Sequence, residues 1–271
     1  MDAPNQRSSH VTPTPRGGGI AFILIGTLTH YIFSTGTTRW IPVFCLPLAM
    51  IGLIDDYINL PAAWRYLAQF ITATILVYAS NINIPIWGIP ICILMLTAII
   101  NFVNFMDGLD GIVAGCSLLF FAATSNWAIS GALFGFLLWN WSPAKVFMGD
   151  AGSTFIGAVF AGLSLQQPNF ICALNVLLIG FPLFGDAAVC ILRRLLTGQN
   201  IFSAHRLHLY QRLNQAGWSH AKVTCLYMAA VLLLVLAKII LDFRSFIFLI
   251  IAEFCFGIVL DRTVARRFKE T

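Results

Sequence analysis

Long apolar runs alternate with short polar stretches along the whole chain of 271 residues. Several runs are shorter than the roughly 20 residues that cross a bilayer upright. The runs near 40–54 and 129–141 are therefore expected to end inside the membrane, with their polar ends in a recessed, water-filled cavity. The ten apolar segments span approximately residues 17–34, 40–54, 65–79, 85–104, 112–128, 129–141, 153–166, 170–192, 223–241 and 245–260.

The composition supports a membrane protein. With 59% hydrophobic residues, 10% charged residues and a mean hydropathy of +0.84, a soluble globule with a charged surface is excluded. The sequence predicts an all-α, polytopic transmembrane helix bundle of about ten helices, with residues 1–271 as one integral-membrane domain and no soluble domain. The seven cysteines lie in or beside apolar runs without a Cys-x-x-Cys pair. We interpret them as small packing residues and not as disulfides or metal ligands.

The basic residues predict the orientation of the chain. Threading the ten segments from a cytoplasmic N-terminus places thirteen Lys and Arg residues in the cytoplasm and three on the other side, as the positive-inside rule requires. The thirteen are Arg7, Arg16, Arg65, Lys145, Arg193, Arg194, Arg206, Arg212, Lys222, Arg262, Arg266, Arg267 and Lys269, and the three are Arg39, Lys238 and Arg244. The net charge of +5 is therefore a topology signal, and no nucleic-acid partner is predicted.

The same threading brings the chemically versatile side chains to the cytoplasmic face. They are Asp55, Asp56, Asn104, Asp107, Asp110, Asn140, Asp150, Asp186, His205 and His208. A transporter or flippase of lipid-linked or anionic solutes, the alternative class, predicts ionisable residues near the midplane, where Glu253 is the main example. The pattern therefore favours an enzyme that works at the cytoplasmic interface.

The stretch from Asn101 to Gly111 is the most unusual part of the sequence. Asn104, Asp107 and Asp110 follow an apolar run, and their oxygens are the hard ligands that Mg²⁺ prefers. The glycines at 108 and 111 allow a tight turn and a close approach to a ligand. The alternative is a polar loop in which Asp107 or Asp110 only caps a helix.

Three further stretches carry candidate chemistry. Adjacent Asp55 and Asp56 favour cation binding or a raised pKa, or else they form a solvated helix end. Asp150 lies between two glycines at a predicted helix start, which suits phosphate binding as well as simple capping. The segment from Ser203 to Arg212 combines imidazoles with guanidiniums, which suits either diphosphate or anionic lipid. His10, His30 and His220 receive no predicted role.

Taken together and in order, these motifs resemble the polyprenyl-phosphate N-acetylhexosamine-1-phosphate transferases, most closely the bacterial enzymes that initiate O-antigen and related glycan synthesis. The resemblance covers nearly the whole chain. It rests on Pro4-Asn5…Arg7-Ser8-Ser9-His10, Pro13-Thr14-Pro15-Arg16-Gly17-Gly18-Gly19, Asp55-Asp56, Asn101…Asn104…Asp107…Asp110-Gly111, Phe147-Met148-Gly149-Asp150…Gly152-Ser153 and the His208 loop.

The resemblance implies a membrane phosphotransferase. It would move sugar-1-phosphate from a UDP-N-acetylaminosugar to undecaprenyl phosphate with Mg²⁺, or Mn²⁺ in its place, and release UMP. The implied setting is the bacterial cytoplasmic (inner) membrane, crossed many times and surrounded by membrane lipid, with the active site facing the cytoplasm. A homodimer is left open.

The resemblance also implies roles for individual residues. Asp55, Asp56 and Asp150 form the implied catalytic set, with Asp55 as a candidate base near the lipid phosphate. Asn104 and Asp150 are the implied metal ligands. The implied substrate-binding residues are Asp107, Asp110, Asn140 and Phe147 for the nucleotide, with Phe147 stacking on uracil, and Arg65, Arg206 and His208 for phosphates.

Three departures from the family pattern matter. Many relatives have a His-x-His-His triplet in the last loop, whereas this chain has His208-Leu209-Tyr210-Gln211, and His205 stands where many have Asp. These changes favour a simple aminosugar over the muramoyl-pentapeptide substrate. Relatives also carry a helix before the Pro-Asn motif, which here begins at residue 4. We expect that Met1 is a misassigned start, the alternative being a shortened, inactive copy.

Overall fold

The structure, a computed structural model, describes residues 13–200, 203 and 205–268. The predicted Pro4–His10 motif, Arg7 and Lys269 lie outside these residues. The described part of the chain forms α1 (Gly19–Phe33), α2 (Ile41–Ile58), α3 (Ala62–Tyr78), α4 (Ile89–Met106), α5 (Ile112–Ala123), α6 (Trp127–Asn140), α7 (Gly149–Ser164), α8 (Phe170–Ile179), α9 (Phe181–Leu196), α10 (Leu209–Gln215), α11 (His220–Ile240) and α12 (Phe243–Thr263). Short 3₁₀ helices, Gly36–Trp40 and Ile86–Gly88, precede α2 and α4.

The all-α membrane architecture predicted from the sequence is confirmed. Among the described residues, four helical stretches are long and apolar enough to cross a bilayer: Gly36–Ile58, Ile86–Met106, His220–Ile240 and Phe243–Thr263. The outer helices also expose large apolar side chains, such as Phe33 at 80% and Phe248 at 73%. Such a surface is suited to lipid and not to water.

One predicted segment, 170–192, is wrong as a single helix. It consists of α8 and α9, which are bent by 79° relative to each other around Gly180. Pro182 lies in the first turn of α9, where its missing N–H costs no helical hydrogen bond. The apolar pattern continues through the bend, so it does not show the break.

The helix α7 lies at the centre of the bundle, and all residues from 151 to 164 are buried. Many of them are glycine, alanine or serine, and small residues allow membrane helices to approach closely. At Gly52 on α2, a Cβ atom would lie 2.7 Å from the Ala151 backbone. Because no side chain separates them there, the last turns of α2 are held against the first turn of α7.

Four helix ends meet at one end of the bundle and form its polar site. α2 ends at Ile58, where Asn59 adopts the left-handed conformation with φ of 50°, and Pro61 precedes the start of α3. The end of α4 and the start of α7 join them. Asp55 and Asp56 therefore lie inside the last turn of α2, and not beyond the helix as the sequence pattern predicted.

Candidate active site

The first turn of α7 is capped by a carboxylate from another helix. Asp56 accepts hydrogen bonds from the backbone N–H groups of Asp150 (3.1 Å) and Ala151 (3.4 Å), which have no partner within the helix. Gly149 has φ of +73°, and any Cβ there would collide with the Asp56 carboxylate. The structure thus gives Asp56 a structural task, and its predicted catalytic role remains a prediction.

Asp150 is the meeting point of the other polar side chains. Its Oδ1 accepts a hydrogen bond from the Asn104 amide at 3.0 Å, and that amide also donates to Ser153 Oγ at 2.9 Å. Its Oδ2 lies 3.7 Å from the Arg65 guanidinium. Arg65 is itself held by Asp55 Oδ2 at 3.0 Å, while Asp55 Oδ1 accepts from the Leu60 backbone N–H at 2.6 Å.

The carboxylates in this region crowd one another. Burial, with nearby Asp55 and Asp56, raises the pKa of Asp150 to about 6. Burial, with the charges of Asp150 and Asp56, raises the pKa of Asp107 well above its usual value. A divalent cation would relieve this crowding. Mg²⁺ usually takes only one or two protein carboxylates and completes its shell with water and substrate phosphate, so the donor set fits it.

A cavity of about 310 Å³ opens beside Asp150. Four residues of the predicted site line it: Arg65, Asn104, Asp150 and His208. Polar residues to which the sequence analysis gave no individual role also line it. They are Tyr66, Gln69 and Thr154, together with Asn101, Ser203, His205 and Gln211 from stretches already singled out in the sequence. Gln69 and Asn101 exchange amide hydrogen bonds of 3.3 and 2.6 Å between α3 and α4. Gln69 could have been identified from the sequence, because it is a polar residue within the apolar helix α3.

All four predicted nucleotide-binding residues lie outside the lining of this cavity. Asp110 contacts His220 at 3.1 Å and accepts from the Ala144 N–H at 3.2 Å. Burial alone would raise the pKa of Asp110, but the hydrogen bond and charge of His220, together with hydrogen bonds from Ala144 and Ser142, outweigh it and lower that pKa. Asn140 accepts from the Gly111 N–H at 3.1 Å and donates to the Val146 carbonyl at 2.9 Å. Sequence analysis gave His220 no role, and its contact with Asp110 is visible only in the fold.

The glycine-rich loop packs against the segment before α7. The Phe147 backbone N–H donates to the Pro15 carbonyl at 2.9 Å, and the Phe147 carbonyl accepts from the Gly18 N–H at 3.0 Å. Phe147 and Asp107 also lie outside the lining of the cavity, and their predicted contacts with the nucleotide remain predictions.

The segment that carries His208 is fastened by Asp186 of α9. The Asp186 carboxylate accepts from the backbone N–H groups of Leu209 (2.7 Å) and Tyr210 (3.0 Å) and from the Tyr227 hydroxyl (2.6 Å). His208 Nδ1 lies 3.7 Å from Asp186, and the His208 side chain is 3% exposed. Arg206 is not among the lining residues of the cavity, and its carbonyl accepts from the Gln215 amide at 3.0 Å. The predicted phosphate contact of Arg206 remains a prediction.

Comparison with known proteins identifies related sequences. The family profile described as "Glycosyl transferase family 4" matches residues 39–167, which include Asp55, Asp56, Asn104 and Asp150. The chain is 29% identical to a probable undecaprenyl-phosphate N-acetylglucosaminyl 1-phosphate transferase of Bacillus subtilis, over 81% of this chain and 71% of the relative. It is 30% identical to a decaprenyl-phosphate N-acetylglucosaminephosphotransferase of Mycobacterium tuberculosis, over 81% and 70%.

A third relative broadens the group. A phospho-N-acetylmuramoyl-pentapeptide-transferase of Staphylococcus carnosus is 31% identical, over 80% of this chain and 81% of the relative. The chain therefore belongs to glycosyl transferase family 4, the family of polyprenyl-phosphate N-acetylhexosamine-1-phosphate transferases that its motifs resemble.

Proposed function

We propose that this protein transfers an N-acetylaminosugar-1-phosphate from a UDP-sugar to undecaprenyl phosphate, releasing UMP and forming a lipid-linked diphosphate sugar. The observation that carries the proposal is the cavity at which Arg65, Asn104, Asp150 and His208 converge. Two relatives named for N-acetylglucosamine phosphate transfer with a prenyl phosphate support it. Family membership also argues against the transporter alternative.

The metal and the phosphates have separate partners in this proposal. Asp150 would hold Mg²⁺ with Asn104 beside it, and the ion would screen the diphosphate charge and stabilise the leaving phosphate. Arg65 offers a fork of donors to phosphate oxygens. Asp55 uses both oxygens on Leu60 and Arg65, so it orients the guanidinium. His208 faces the same cavity as a further phosphate contact.

In the proposed transfer, the main task of the protein is to position the two substrates. An oxygen of the lipid phosphate forms a bond to the phosphorus that carries the sugar. The bond from that phosphorus to the bridging oxygen breaks, and UMP leaves with the electron pair. Such transfers are accelerated by alignment and by charge stabilisation, which the four cavity residues are placed to supply.

We further propose a simple aminosugar as the donor and initiation of cell-envelope glycans such as O-antigen at the cytoplasmic face. The support is local: Tyr210 and Gln211 stand at the two triplet positions where many relatives have His. Tyr210 is buried, and its hydroxyl donates to the Phe105 carbonyl at 2.9 Å. This side chain therefore fastens α4 instead of reaching toward substrate.

The test is UMP release by the purified protein in detergent, with undecaprenyl phosphate and Mg²⁺ each added or left out. UDP-GlcNAc, UDP-GalNAc, UDP-QuiNAc and UDP-FucNAc are compared with UDP-MurNAc-pentapeptide. We expect release with at least one simple aminosugar, and only when both additions are present. UMP release without lipid phosphate would contradict the proposed transfer to undecaprenyl phosphate. UMP release with the pentapeptide donor and with none of the simple aminosugars would contradict the proposed donor.

A further inference from the structure

A second cluster of potential ligands lies beside the cavity. The cluster consists of Cys190 on α9 and His205 and His208 in the segment before α10. One ligand atom from each residue lies within 4.8 Å of the other two. Sulfur and imidazole nitrogen are the donors that Zn²⁺ and similar soft or borderline ions prefer, whereas Mg²⁺ prefers oxygen.

We propose that Cys190, His205 and His208 form a binding site for a soft divalent metal ion such as Zn²⁺, distinct from the proposed Mg²⁺ site. This departs from our interpretation of the cysteines as packing residues. No disulfide competes for the thiol, since all seven cysteines are free.

The position of Asp186 supports the proposal. His208 Nδ1 is buried and lies 3.7 Å from the Asp186 carboxylate, which leaves Nε2 as the ring nitrogen for a metal. Metal-bound histidines typically have one ring nitrogen on the metal and direct the other at a carboxylate, so Asp186 is placed to serve as that outer partner.

Protonation and charge both bear on metal binding at this cluster. Burial of the Cys190 thiol disfavours its charged form, so the metal must displace the thiol proton. Cys190 binds as the thiolate, and its proton is released to solvent. The positive charge of Arg194 opposes a cation here. Arg194 is engaged, however, with Ser203 Oγ at 2.7 Å and with the Asn200 carbonyl.

Binding of one metal ion requires the three ligand atoms to move slightly closer together. Donors bound to one Zn²⁺ at about 2.0–2.3 Å lie roughly 3.5 Å apart in tetrahedral geometry, so the cluster must contract by about 1 Å. His205 is half-buried on a loop, while Cys190 and His208 are 3% exposed and fixed by packing. The contraction therefore falls on the His205 side. An occupied site would share His205 and His208 with the lining of the catalytic cavity.

Co²⁺ tests the site, because a thiolate bound to Co²⁺ gives a charge-transfer absorption in the near ultraviolet. The full chain is purified in detergent, stripped with a chelator and titrated with Co²⁺ alone, and then with Zn²⁺. We expect the absorption to saturate at a single equivalent of Co²⁺ and to disappear when Zn²⁺ displaces it. Since the readout is metal binding, it does not depend on the proposed reaction.

The variants decide which residues bind. Cys190→Ala should lose the absorption, whereas Cys116→Ala, which removes another buried thiol, should keep it. His205 is half-buried on a loop, so His205→Ala can still be used if Cys190→Ala fails to fold. His205→Ala should weaken Co²⁺ binding by at least roughly 10- to 100-fold, which is the loss in affinity typical when a residue that hydrogen-bonds a metal ligand is removed. A wild-type protein without thiolate absorption in excess Co²⁺, or unchanged binding in either ligand variant, overturns the proposal.

Discussion

Asp150 accepts an amide hydrogen bond from Asn104, lies near Arg65 and is crowded by Asp55 and Asp56. Asp150→Asn keeps the size of the side chain and an oxygen for Asn104, but it removes the charge that a divalent ion requires. We expect turnover to fall by orders of magnitude, measured as UMP release at saturating Mg²⁺. Asp242→Asn, at an exposed helix cap far along the chain, serves as the control. Near-normal turnover in Asp150→Asn would remove this residue from the site.

The raised pKa of Asp150 gives the same variant a second signature. A carboxyl whose pKa in the folded state is about 6, above its unfolded value, stabilises the fold most when protonated. Without divalent ions, this contribution is present at low pH and is lost as the pH rises through about 6. Thermal unfolding against pH should show this step in the wild type and lack it in Asp150→Asn. Identical pH profiles would show that Asp150 is not crowded.

Asn140, whose predicted contact with the nucleotide remains a prediction, also has a structural role in the fold. Its amide joins the Gly111 N–H to the Val146 carbonyl, and the side chain is 3% exposed. Asn140→Leu would leave both backbone groups unpaired, at a cost of about 1–3 kcal/mol each. We expect a clear fall in the melting temperature in detergent, and an intermediate fall for Asn140→Asp, which can still accept from Gly111. A purely nucleotide-binding residue would change the KM for the UDP-sugar and leave the melting temperature unchanged.

The order of the motifs and the family resemblance were enough to predict that Arg65, Asn104, Asp150 and His208 share a site, and all four line one cavity. The sequence could not show which polar atoms are already used within the protein. Asp110 contacts His220, which is 110 positions later in the chain, and Asp56 of α2 caps the first turn of α7. Such pairings depend on packing between helices that are distant in sequence.

At the scale of elements, the close approach of α2 to α7 places Asp55 and Asp56 beside Asp150. Gly52→Ala would put a Cβ 2.7 Å from the Ala151 backbone, and overpacking of this kind typically costs about 1–3 kcal/mol. We expect a lower melting temperature together with lost UMP release. Gly131→Ala is the matched control, because no atom lies within 4 Å of its Cβ position in α6. If both variants behave alike, the contact between α2 and α7 does not position the site.

Most of the helices were predictable from apolar runs, whereas the short α10 and the bend between α8 and α9 were not. Hydropathy reports how well a segment tolerates lipid, and both halves of 170–192 are apolar. The direction of the chain after Gly180 depends instead on backbone angles at the break and on packing against neighbouring helices.

At the scale of the whole molecule, the distribution of basic residues predicts which end of the bundle faces the cytoplasm. Lys145→Cys and Thr37→Cys replace exposed residues in loops expected on opposite faces. The background replaces the exposed Cys225 and Cys255 with serine. A membrane-impermeant thiol reagent applied to intact cells should label position 37 and miss position 145, whereas a permeant reagent should label both. Labelling of position 145 from outside would reverse the orientation of the site.

The crowding of carboxylates around Asp150 has a consequence for how the protein can be screened. A ligand that binds only the folded state raises its stability by mass action, by about 2.7 kcal/mol at a concentration one hundred times its Kd. Mg²⁺ should therefore delay thermal unfolding in the wild type but not in Asp150→Asn, even with no substrate present. A heat-denaturation series over divalent ions and uridine nucleotides thus becomes a survey of ligands that needs neither a lipid acceptor nor a known sugar.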